Sequence, residues 1–560
     1  MKRRLSILFA LLISFGAFAQ GNGGYGWPLD IEPPSFSSTY GELRHNHFHA
    51  GLDWRTNART GYELHAIKEG YICRINVSPV GYGNAIYINH PDGTMSVYGH
   101  MDRFRSDIAA RVREEQYKNQ RYRVDFELDP SVFPLEKGEV FGWSGNTGSS
   151  GGPHLHMEIR REGGDLPLNY LASGAYPIKD TQKPSINRVG FYAFEDSTGI
   201  PVVRRLQMIA GPEKFKGTVS VSEKFYVAID ALDRMEGTNG RLAVERYTVW
   251  LDNEKIFEFK VDDVPYSVGR YFTCLVQQGE KGHDLLKTWC VPNNGLAYKI
   301  NAVNDGIITL EDDAVHTLKI AVADCFGNSS GCSLQVKRNP AIKVYEPAAL
   351  EGTVAAVWYL PTVFSRDGMT MTMEPASLNA STYIKCERTG FADVAAGIYS
   401  DVWTIGNDDI HLQRPFALRL ETSQVPEGLK DKAYIARAGS GGASSYAGNT
   451  AVEGGLQARC RFGTYFVAVD TTAPVLHPRV LDGASLPANG RFSIEAEDAG
   501  SEIATFNVLM DGEWILSQFV KGRIQVYPDN SHKKNRKHRV EVTAEDHCGN
   551  ASHVSFSVIY

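Results

Sequence analysis

The chain has 560 residues, of which 42% are hydrophobic and 22% charged, an ordinary composition for a globular protein with several cores. At about 150 residues per domain, this length predicts about four domains. Its 58 Lys and Arg residues are outnumbered by 65 Asp and Glu residues, and the net charge of −7 argues against a nucleic-acid binder, because such proteins carry a basic excess. The composition also excludes collagen-like, coiled-coil and disordered proteins.

The first 19 residues have the organisation of a secretory signal peptide. A basic start at residues 2–4 precedes an apolar run over residues 5–18, and residues 17–19 read Ala-Phe-Ala, a small-x-small cleavage pattern. The apolar run is about 14 residues, shorter than the roughly 20 of a spanning helix, although an uncleaved anchor is the alternative. We predict cleavage after Ala19 and an exported protein of the periplasm, cell envelope or extracellular space, without a membrane span after cleavage.

Three histidine-bearing motifs follow between residues 44 and 160. They are His-Ala-Gly-Leu-Asp at 49–53, Tyr-Gly-His at 98–100 and His-Leu-His at 154–156. Residues i and i+2 of a strand point to the same face, so His154 and His156 should project into one groove. Two imidazoles and one carboxylate make a three-ligand zinc set with a fourth position open to water, and further histidines beside it can act as base, acid or oxyanion donor.

The motifs around these residues resemble the lysostaphin-type zinc metallopeptidases, also called LytM domains. The hallmark of that family is His-x-x-x-Asp followed far downstream by His-x-His. The glycine-rich approach at residues 144–148, the run at 153–158 and the turn and strand at 81–90 all match the family pattern. The resemblance covers residues 40–165, which is under a third of the chain.

This resemblance implies that His49, Asp53 and His156 bind zinc and that His100 and His154 are the catalytic histidines. One histidine would help to deprotonate the zinc-bound water, and the other would stabilise the oxyanion or protonate the leaving amine; which does which stays open. The family also implies a small antiparallel β-sheet domain with its site in a groove. Its usual substrates are the peptide cross-links or stems of bacterial peptidoglycan.

Two further histidines, His45 and His47, flank the first motif. Only His49 has the Gly-Leu-Asp run at the right distance, so we expect His45 and His47 to be surface or supporting residues. The chain departs from the family pattern by extra residues between His100 and Leu135, with a helix predicted over 107–120 and a strand over 122–130. A groove wall, a lid and a peripheral excursion are the alternatives for this insertion.

Two later segments resemble each other. They begin Asp-Thr-Gln-Lys-Pro at 180–184 and Asp-Thr-Thr-Ala-Pro at 470–474, continue with alternating strands, and each ends with a His eight residues before an Asp-x-x-Gly-Asn turn. Ordered matches of this kind indicate two copies of one β-module, and period-2 alternation predicts a β-sandwich. The copies resemble the immunoglobulin-like modules of bacterial envelope proteins, and the first carries an insertion around residues 262–313.

Eight cysteines are present, and export would permit disulfides. The pairs close enough in sequence to consider are Cys274 with Cys290 and Cys325 with Cys332, with Cys386 and Cys460 as a weaker third. Free buried thiols are the alternative. No Cys-x-x-Cys pair occurs, which argues against a thiolate zinc site.

We therefore predict a mainly β protein, with a LytM-type antiparallel β-sheet catalytic domain followed by several β-sandwich, immunoglobulin-like modules. The predicted parts are a signal peptide at 1–19, a zinc peptidase domain at 20–178, module 1 with its insertion at 179–339, an additional β domain at 340–469 and module 2 at 470–560.

The predicted function is that of an exported zinc metalloendopeptidase that hydrolyses peptidoglycan peptides during cell-wall remodelling. The modules would position the enzyme, bind the wall or an envelope protein partner, or cap the groove. The alternatives are a non-enzymatic LytM-type regulator of other wall hydrolases, a peptidase acting on an exported protein, and an adhesion protein led by its modules. Whether the bond is a D,D cross-link or a glycine bridge stays open.

Overall fold

The structure, a computed structural model, describes residues 24–560 apart from positions 45–46, 162, 197, 237–239, 278–283, 345–351, 408–409, 530–531 and 534. The predicted signal peptide at 1–19 and His45 lie outside the described residues. The fold is mainly β, as predicted, and its sheets are almost entirely antiparallel. Among the described residues, no helix has both the length and the apolar character needed to cross a membrane.

The N-terminal unit holds the histidine-bearing motifs. Its elements are β1 (Phe36–Ser38), β2 (Leu52–Arg55), β3 (Glu63–His65), β4 (Gly70–Val77), β5 (Asn84–Asn89), β6 (Thr94–Gly99), β7 (Arg103–Phe104), α1 (Ser106–Asn119), β8 (Val124–Glu127), β9 (Pro134–Leu135), β10 (Val140–Trp143) and β11 (His154–Arg161). The large sheet has the order β1-β2-β11-β6-β5-β4-β8, with β9 paired to β4, and β3-β10-β7 form a small second sheet.

The inner strands of the large sheet are buried on both faces. Strand β5 has four successive buried positions, all with apolar or aromatic side chains. The six buried positions of β11 alternate instead between apolar side chains, Leu155, Met157 and Ile159, and polar ones, His156, Glu158 and Arg160. The pairing register places Asp53 of β2 opposite His156 of β11, and Gly99 of β6 lies on the other side of His156. This register sets the relative positions of the motif side chains.

The helix predicted over residues 107–120 is confirmed as α1. It ends at Asn119, and the left-handed backbone conformation of the next residue, Gln120, stops the helix. Ile108 is buried in the core of the N-terminal unit, whereas Tyr117 packs edge-on against Trp514 with ring centroids 5.2 Å apart. The extra residues of this unit therefore join it to the last part of the chain.

The second unit consists of two sheets around one core. Its elements are β12 (Ser185–Glu195), β13 (Val202–Ala210), β14 (Thr218–Val221), β15 (Lys224–Leu232), β16 (Arg246–Leu251), β17 (Glu254–Lys260), α2 (Tyr266–Gly269), β18 (Val276–Gln277), β19 (Leu285–Lys287), β20 (Ile300–Ala302), β21 (Ile308–Thr309), β22 (Val315–Ala323) and β23 (Ser329–Arg338). The sheet orders are β13-β12-β15-β19-β18, with β21 on β15, and β14-β23-β22-β16-β17-β20. One buried cluster includes side chains of both sheets.

The third unit also has two sheets. Its strands are β24 (Thr353–Ala356), β25 (Thr362–Arg366), β26 (Met369–Met373), β27 (Thr382–Gly390), β28 (Val402–Ile405), β29 (Phe416–Glu421), β30 (Ala433–Ala438), β31 (Ser444–Gly448), β32 (Thr450–Val452), β33 (Gly455–Cys460) and β34 (Gly463–Val469). The sheets run β24-β27-β28-β34-β30-β31 and β25-β26-β29-β33-β32 around their own core.

The fourth unit repeats the pairing of the second. Its strands are β35 (Val475–Pro478), β36 (Ala484–Ser485), β37 (Phe492–Glu497), β38 (Ile503–Met510), β39 (Glu513–Trp514), β40 (Ser517–Val520), β41 (Arg523–Val526), β42 (Lys537–Asp546) and β43 (Ala551–Ile559). The parallel pair β36–β43 leads into β42 and β38, as β14–β23 leads into β22 and β16. The repeat found in the sequence thus corresponds to a repeat of sheet topology.

All eight cysteines are free thiols, so the suggested disulfide pairs are wrong for this structure. Cys325 packs with the core of the N-terminal unit, whereas Cys332 packs with the core of the second unit. The two thiols therefore do not meet to form a disulfide. Burial raises the pKa of the Cys386 and Cys460 thiols to about 12, which keeps both protonated.

The second unit packs tightly against the N-terminal unit. Met235 and Leu242 lie in the same buried cluster as Trp54. On another side, the rings of Phe48 and Phe272 meet edge-on with centroids 4.9 Å apart. Apolar burial of this kind fixes how the two units sit against each other.

We expect Gly51→Ala to destabilise the N-terminal unit by about 1–3 kcal/mol, the usual cost of overpacking. The added Cβ would lie 2.3 Å from the carbonyl oxygen of Met157 on β11. Gly152→Ala is the matched control, since a Cβ there meets nothing within 4 Å. Thermal unfolding checks this, and equal unfolding temperatures for the two variants would contradict it.

Candidate active site

Three side chains come together from two neighbouring strands and the loop before them. Asp53 on β2 and His156 on β11 lie opposite each other. His49 lies in the loop before β2, where its backbone N–H donates to the carbonyl oxygen of Glu42 at 2.9 Å. All three side chains are buried, so their polar atoms need partners inside the protein.

The polar atoms of these three side chains converge on one point. Nε2 of His49 lies 2.9 Å and Nδ1 of His156 lies 2.8 Å from Oδ1 of Asp53, and the two nitrogens are 3.0 Å apart. Two imidazole nitrogens and one carboxylate oxygen are donors that suit zinc. The geometry therefore brings together a set of possible metal ligands.

The outward ring nitrogens are held by acceptors. Nδ1 of His49 lies 2.9 Å from the carbonyl oxygen of Thr39, and Nε2 of His156 lies 2.8 Å from Oε1 of Glu158. A carbonyl and an ionised carboxylate only accept hydrogen bonds, so these nitrogens carry hydrogens. Orienting the rings from behind in this way is the usual support of metal-binding histidines.

The electrostatics of the cluster favour an ionised carboxylate. Burial alone would raise the pKa of Asp53, but the charge of His49 and hydrogen bonds from both histidines hold that pKa well below its usual range. For His156, burial alone would lower the pKa, because burial disfavours the charged ring. Asp53 and Glu158 outweigh this effect and raise that pKa to about 9. A cation bound here would replace a proton on His156.

Two more histidines face this cluster. The rings of His100 and His154 are 4.7 Å apart between centroids, and Nε2 of His154 lies 3.6 Å from Oδ1 of Asp53. Nδ1 of His100 lies 2.8 Å from the carbonyl oxygen of Thr147, and Nδ1 of His154 lies 2.8 Å from that of Gly152. Since Nδ1 donates in both rings, the neutral rings have Nε2 free of hydrogen and able to accept a proton.

Both of these rings are neutral at neutral pH. Burial, with the positive charge of His156, lowers the pKa of His100 to about 4, and burial also lowers the pKa of His154. His100 has a φ of 60°, a left-handed conformation uncommon for residues other than glycine. Strain of this kind is concentrated at functional sites.

A buried ion pair supports the cluster from behind. Glu158 accepts from Nε of Arg160 at 2.6 Å and from the hydroxyl groups of Tyr82 and Tyr266 at 2.5 and 2.6 Å. Burial would raise the pKa of Glu158, but Arg160 and His156 hold that pKa far below its usual range. The carboxylate that orients His156 is thus fixed in its ionised form.

The histidines open into a groove of about 390 Å³ whose wall comes partly from the second unit. The described residues of 101–135 do not line this cavity, and a role of that insertion as a wall elsewhere along the groove or as a lid stays a prediction. The insertion of the second unit supplies the wall instead, through Val264, Pro265, Tyr266 and Gly269. We call residues 262–269 the groove segment.

Hydrogen bonds fasten the groove segment to the N-terminal unit. The Tyr40 hydroxyl accepts from the N–H of Val264 at 2.8 Å. The N–H of Tyr266 donates to the carbonyl oxygen of Asp165 at 2.8 Å, and the Ser267 hydroxyl donates to the Asp165 carboxylate at 3.0 Å. The site is therefore shared between two units of the fold.

The structure brings together all five residues named from the sequence: His49, Asp53, His100, His154 and His156. His47 also lines the groove. Sequence reasoning missed the supporting residues. A period-2 signal was available for two of these, since His154, His156, Glu158 and Arg160 alternate along β11. No sequence signal pointed to Tyr266, which lies 108 residues after Glu158.

Comparison with protein families gives two matches. Residues 47–117 match the model described as Peptidase family M23, and residues 354–470 match a Zu5-like domain. The M23 match contains His49, Asp53 and His100 and ends before His154. The N-terminal unit thus contains the segment that is similar to peptidase family M23, the LytM-type peptidases.

Among curated proteins, the chain is similar to DD-carboxypeptidase/endopeptidase Mpg of Neisseria meningitidis serogroup B, with 32% identity over 162 residues, 28% of this chain and 30% of that protein. It is 26% identical over 145 residues to the glycyl-glycine endopeptidase ALE-1 of Staphylococcus capitis, covering 25% of this chain and 33% of that protein. The chain therefore spans about a third of the length of these relatives.

Among solved structures, the chain is similar to the catalytic domain of lysostaphin from Staphylococcus simulans, with 23% identity, 23% of this chain and 78% of that chain covered, and a TM-score of 0.17. The catalytic domain of the prophage-encoded M23 protein EnpA from Enterococcus faecalis gives 24% identity, coverage of 25% and 88%, and a TM-score of 0.19.

We expect Glu158→Gln to weaken zinc binding by about 10- to 100-fold, the usual effect of removing a carboxylate that orients a metal-binding histidine. The amide keeps the shape of the side chain but not the charge that faces Nε2 of His156 and Arg160. Competition with a chromogenic chelator measures the affinity. Glu127→Gln, on β8, is the control, and an unchanged affinity in Glu158→Gln would contradict this role.

We expect Tyr266→Phe to loosen the groove segment. A hydrogen bond to a charged group stabilises by about 1.5–3 kcal/mol, so local opening should become about tenfold more frequent or more. Hydrogen exchange at the amides of Tyr266 and Ser267, which both donate to Asp165, reports this opening. Tyr298→Phe, on an exposed part of the same insertion, is the control. Equal exchange rates in both variants would refute a stabilising role for the hydrogen bond between Tyr266 and Glu158.

Proposed function

We propose that this chain is an exported zinc metalloendopeptidase that hydrolyses peptide cross-links or stems of bacterial peptidoglycan. The observation that carries the proposal is the convergence of His49, Asp53 and His156 beside two neutral histidines in a groove. The names of the relatives, an endopeptidase with DD-carboxypeptidase activity and a glycyl-glycine endopeptidase, support the substrate class. Export rests on the signal pattern of residues 1–19.

The residues present fit a catalytic zinc. His49 would bind through Nε2, His156 through Nδ1 and Asp53 through Oδ1, because these atoms already face one another. Three protein ligands leave a position open toward the groove, as catalytic zinc sites require. The chemistry supplied by zinc, when bound, is a lowered pKa of water and the polarisation of a carbonyl group.

The two remaining histidines handle protons and charge. With Nδ1 tied to backbone carbonyl oxygens, His100 and His154 each present Nε2 as an acceptor in its neutral form. One ring takes the proton of the attacking water, and in its charged form it returns a proton to the leaving amine. The other ring would stabilise the oxygen of the scissile carbonyl group in its protonated form, in which Nε2 carries a proton taken up from solvent and donates it in a hydrogen bond to that oxygen.

The groove segment has a part in substrate selection. It places Tyr266 and Pro265 against the groove that leads to His154, so a peptide must pass a wall contributed by the second unit. This wall limits the width of the chain that can enter, which suits a slender peptide stem better than a folded protein. An envelope protein partner or the bacterial cell wall would bind to other surfaces of the β-modules.

The direct test is the digestion of purified peptidoglycan by the mature chain, with product masses read by mass spectrometry. We expect release of cross-linked peptides as smaller products, loss of release with a chelator, and recovery with zinc. The masses name the bond, because D,D cleavage and glycyl-glycine cleavage leave different ends. Absence of release from a zinc-loaded chain would contradict the proposal and favour a regulator of other hydrolases.

Variants separate the two kinds of histidine. We expect His49→Ala to lose both zinc and activity, whereas His154→Ala keeps zinc and loses activity by about 100-fold or more, the range of general acid–base catalysis. His316→Ala is the control, since that ring pairs with Asp252 in the second unit, away from the groove. Full activity in His154→Ala would refute its catalytic role.

A further inference from the structure

A second group of acidic side chains lies where the chain enters the second unit. Asp180 precedes β12, Asp233 follows β15, and Asp324 lies in the turn between β22 and β23. One carboxylate oxygen of each lies within 4.8 Å of the others. The three residues are only 7%, 4% and 2% exposed, so three like charges are held together away from water.

In two of these carboxylates, one oxygen lacks a hydrogen-bond partner. Oδ2 of Asp180 and Oδ1 of Asp233 are buried and accept no hydrogen bond. Within the described parts of the chain, no Lys or Arg forms an ion pair with any of the three. Buried oxygens left in this way cost free energy unless something compensates them. Burial, with the charges of Asp324 and Asp180, raises the pKa of Asp233 to about 7.

The arrangement recurs in the fourth unit. Asp470, Asp498 and Asp546 form the matching cluster, and Oδ1 of Asp498 is again buried without a partner. The surrounding hydrogen bonds recur as well: the Asn328 side chain donates to the carbonyl oxygen of Asp180 at 3.1 Å, and Asn550 donates to that of Asp470 at 3.0 Å. The placement of three aspartates and one asparagine therefore recurs in both copies, although Ser501 donates to Oδ2 of Asp470 only in the fourth unit.

We propose that Asp180, Asp233 and Asp324 bind a calcium ion. The donors are all carboxylate oxygens, which are hard ligands suited to calcium rather than zinc. Two oxygens that each lie about 2.4 Å from one calcium ion are at most about 4.8 Å apart, and one oxygen from each of the three residues lies within this limit. The ion would also supply the positive charge that the two unpartnered oxygens lack.

The position of the site suggests what the ion does. Met235 and Phe326, two residues from Asp233 and Asp324, pack with the core of the N-terminal unit. Asp180 belongs to the connection between the two units, so an ion held by all three residues ties that connection to the body of the second unit. The second unit also contains the groove segment, so calcium would stabilise the position of that segment relative to the N-terminal unit.

The test uses the mature, zinc-loaded full chain, stripped of calcium and desalted. We expect calcium to raise its melting temperature and bound calcium to be measurable by elemental analysis. Asp233→Asn should bind one calcium ion fewer per chain and show a smaller calcium-dependent rise. Without calcium this variant should melt no lower than the wild type, since it removes one of three repelling charges.

Controls separate binding from loss of folding. Asp230→Asn removes another buried carboxylate near the end of β15, one paired with Arg188 at 3.0 Å, and should keep the full number of calcium ions although it melts at a lower temperature. Magnesium at equal concentration should stabilise less. No calcium uptake, an unchanged number of ions in Asp233→Asn, or equal stabilisation by magnesium would overturn the proposal. The readouts do not depend on peptidase activity.

Discussion

The site depends on one pairing register, that of β2 with β11. It places Asp53 beside His156, and the loop before β2 then returns His49 to within 3.0 Å of both. A slip of one residue would turn His156 to the other face of the sheet and leave Asp53 without its partners. Leu52 and Trp54 of β2 share one buried core with Leu155 and Met157 of β11, and this apolar burial holds that register.

The second constraint is the buried carboxylate of Glu158. It orients His156, forms an ion pair with Arg160, and accepts a hydrogen bond from the hydroxyl group of Tyr266 in the second unit. The ring orientation at the cluster is therefore coupled to the position of the groove segment. One hydrogen-bond donor to the supporting network of the N-terminal unit thus belongs to the neighbouring unit.

Much of the fold and the candidate site could be predicted from the sequence because the signals were local. Helix α1 was found within one residue of each end, and the spacing of residues 154 and 156 on one strand predicted a shared face. The groove wall could not be predicted, since Tyr266 reaches Glu158 only through tertiary packing. The disulfide pairs failed for the same reason: Cys325 and Cys332 are close in sequence but join different cores.

The central claim is that His49, Asp53 and His156 bind one zinc ion. X-ray absorption at the zinc edge of the loaded mature chain tests it most directly. The account predicts a four-coordinate shell of nitrogen and oxygen at about 2.0–2.1 Å, with the outer-shell scattering of two imidazoles and no sulfur. A shell that contains sulfur, or three or more imidazoles, would contradict it, since the ligand set would then differ from the cluster that the fold assembles.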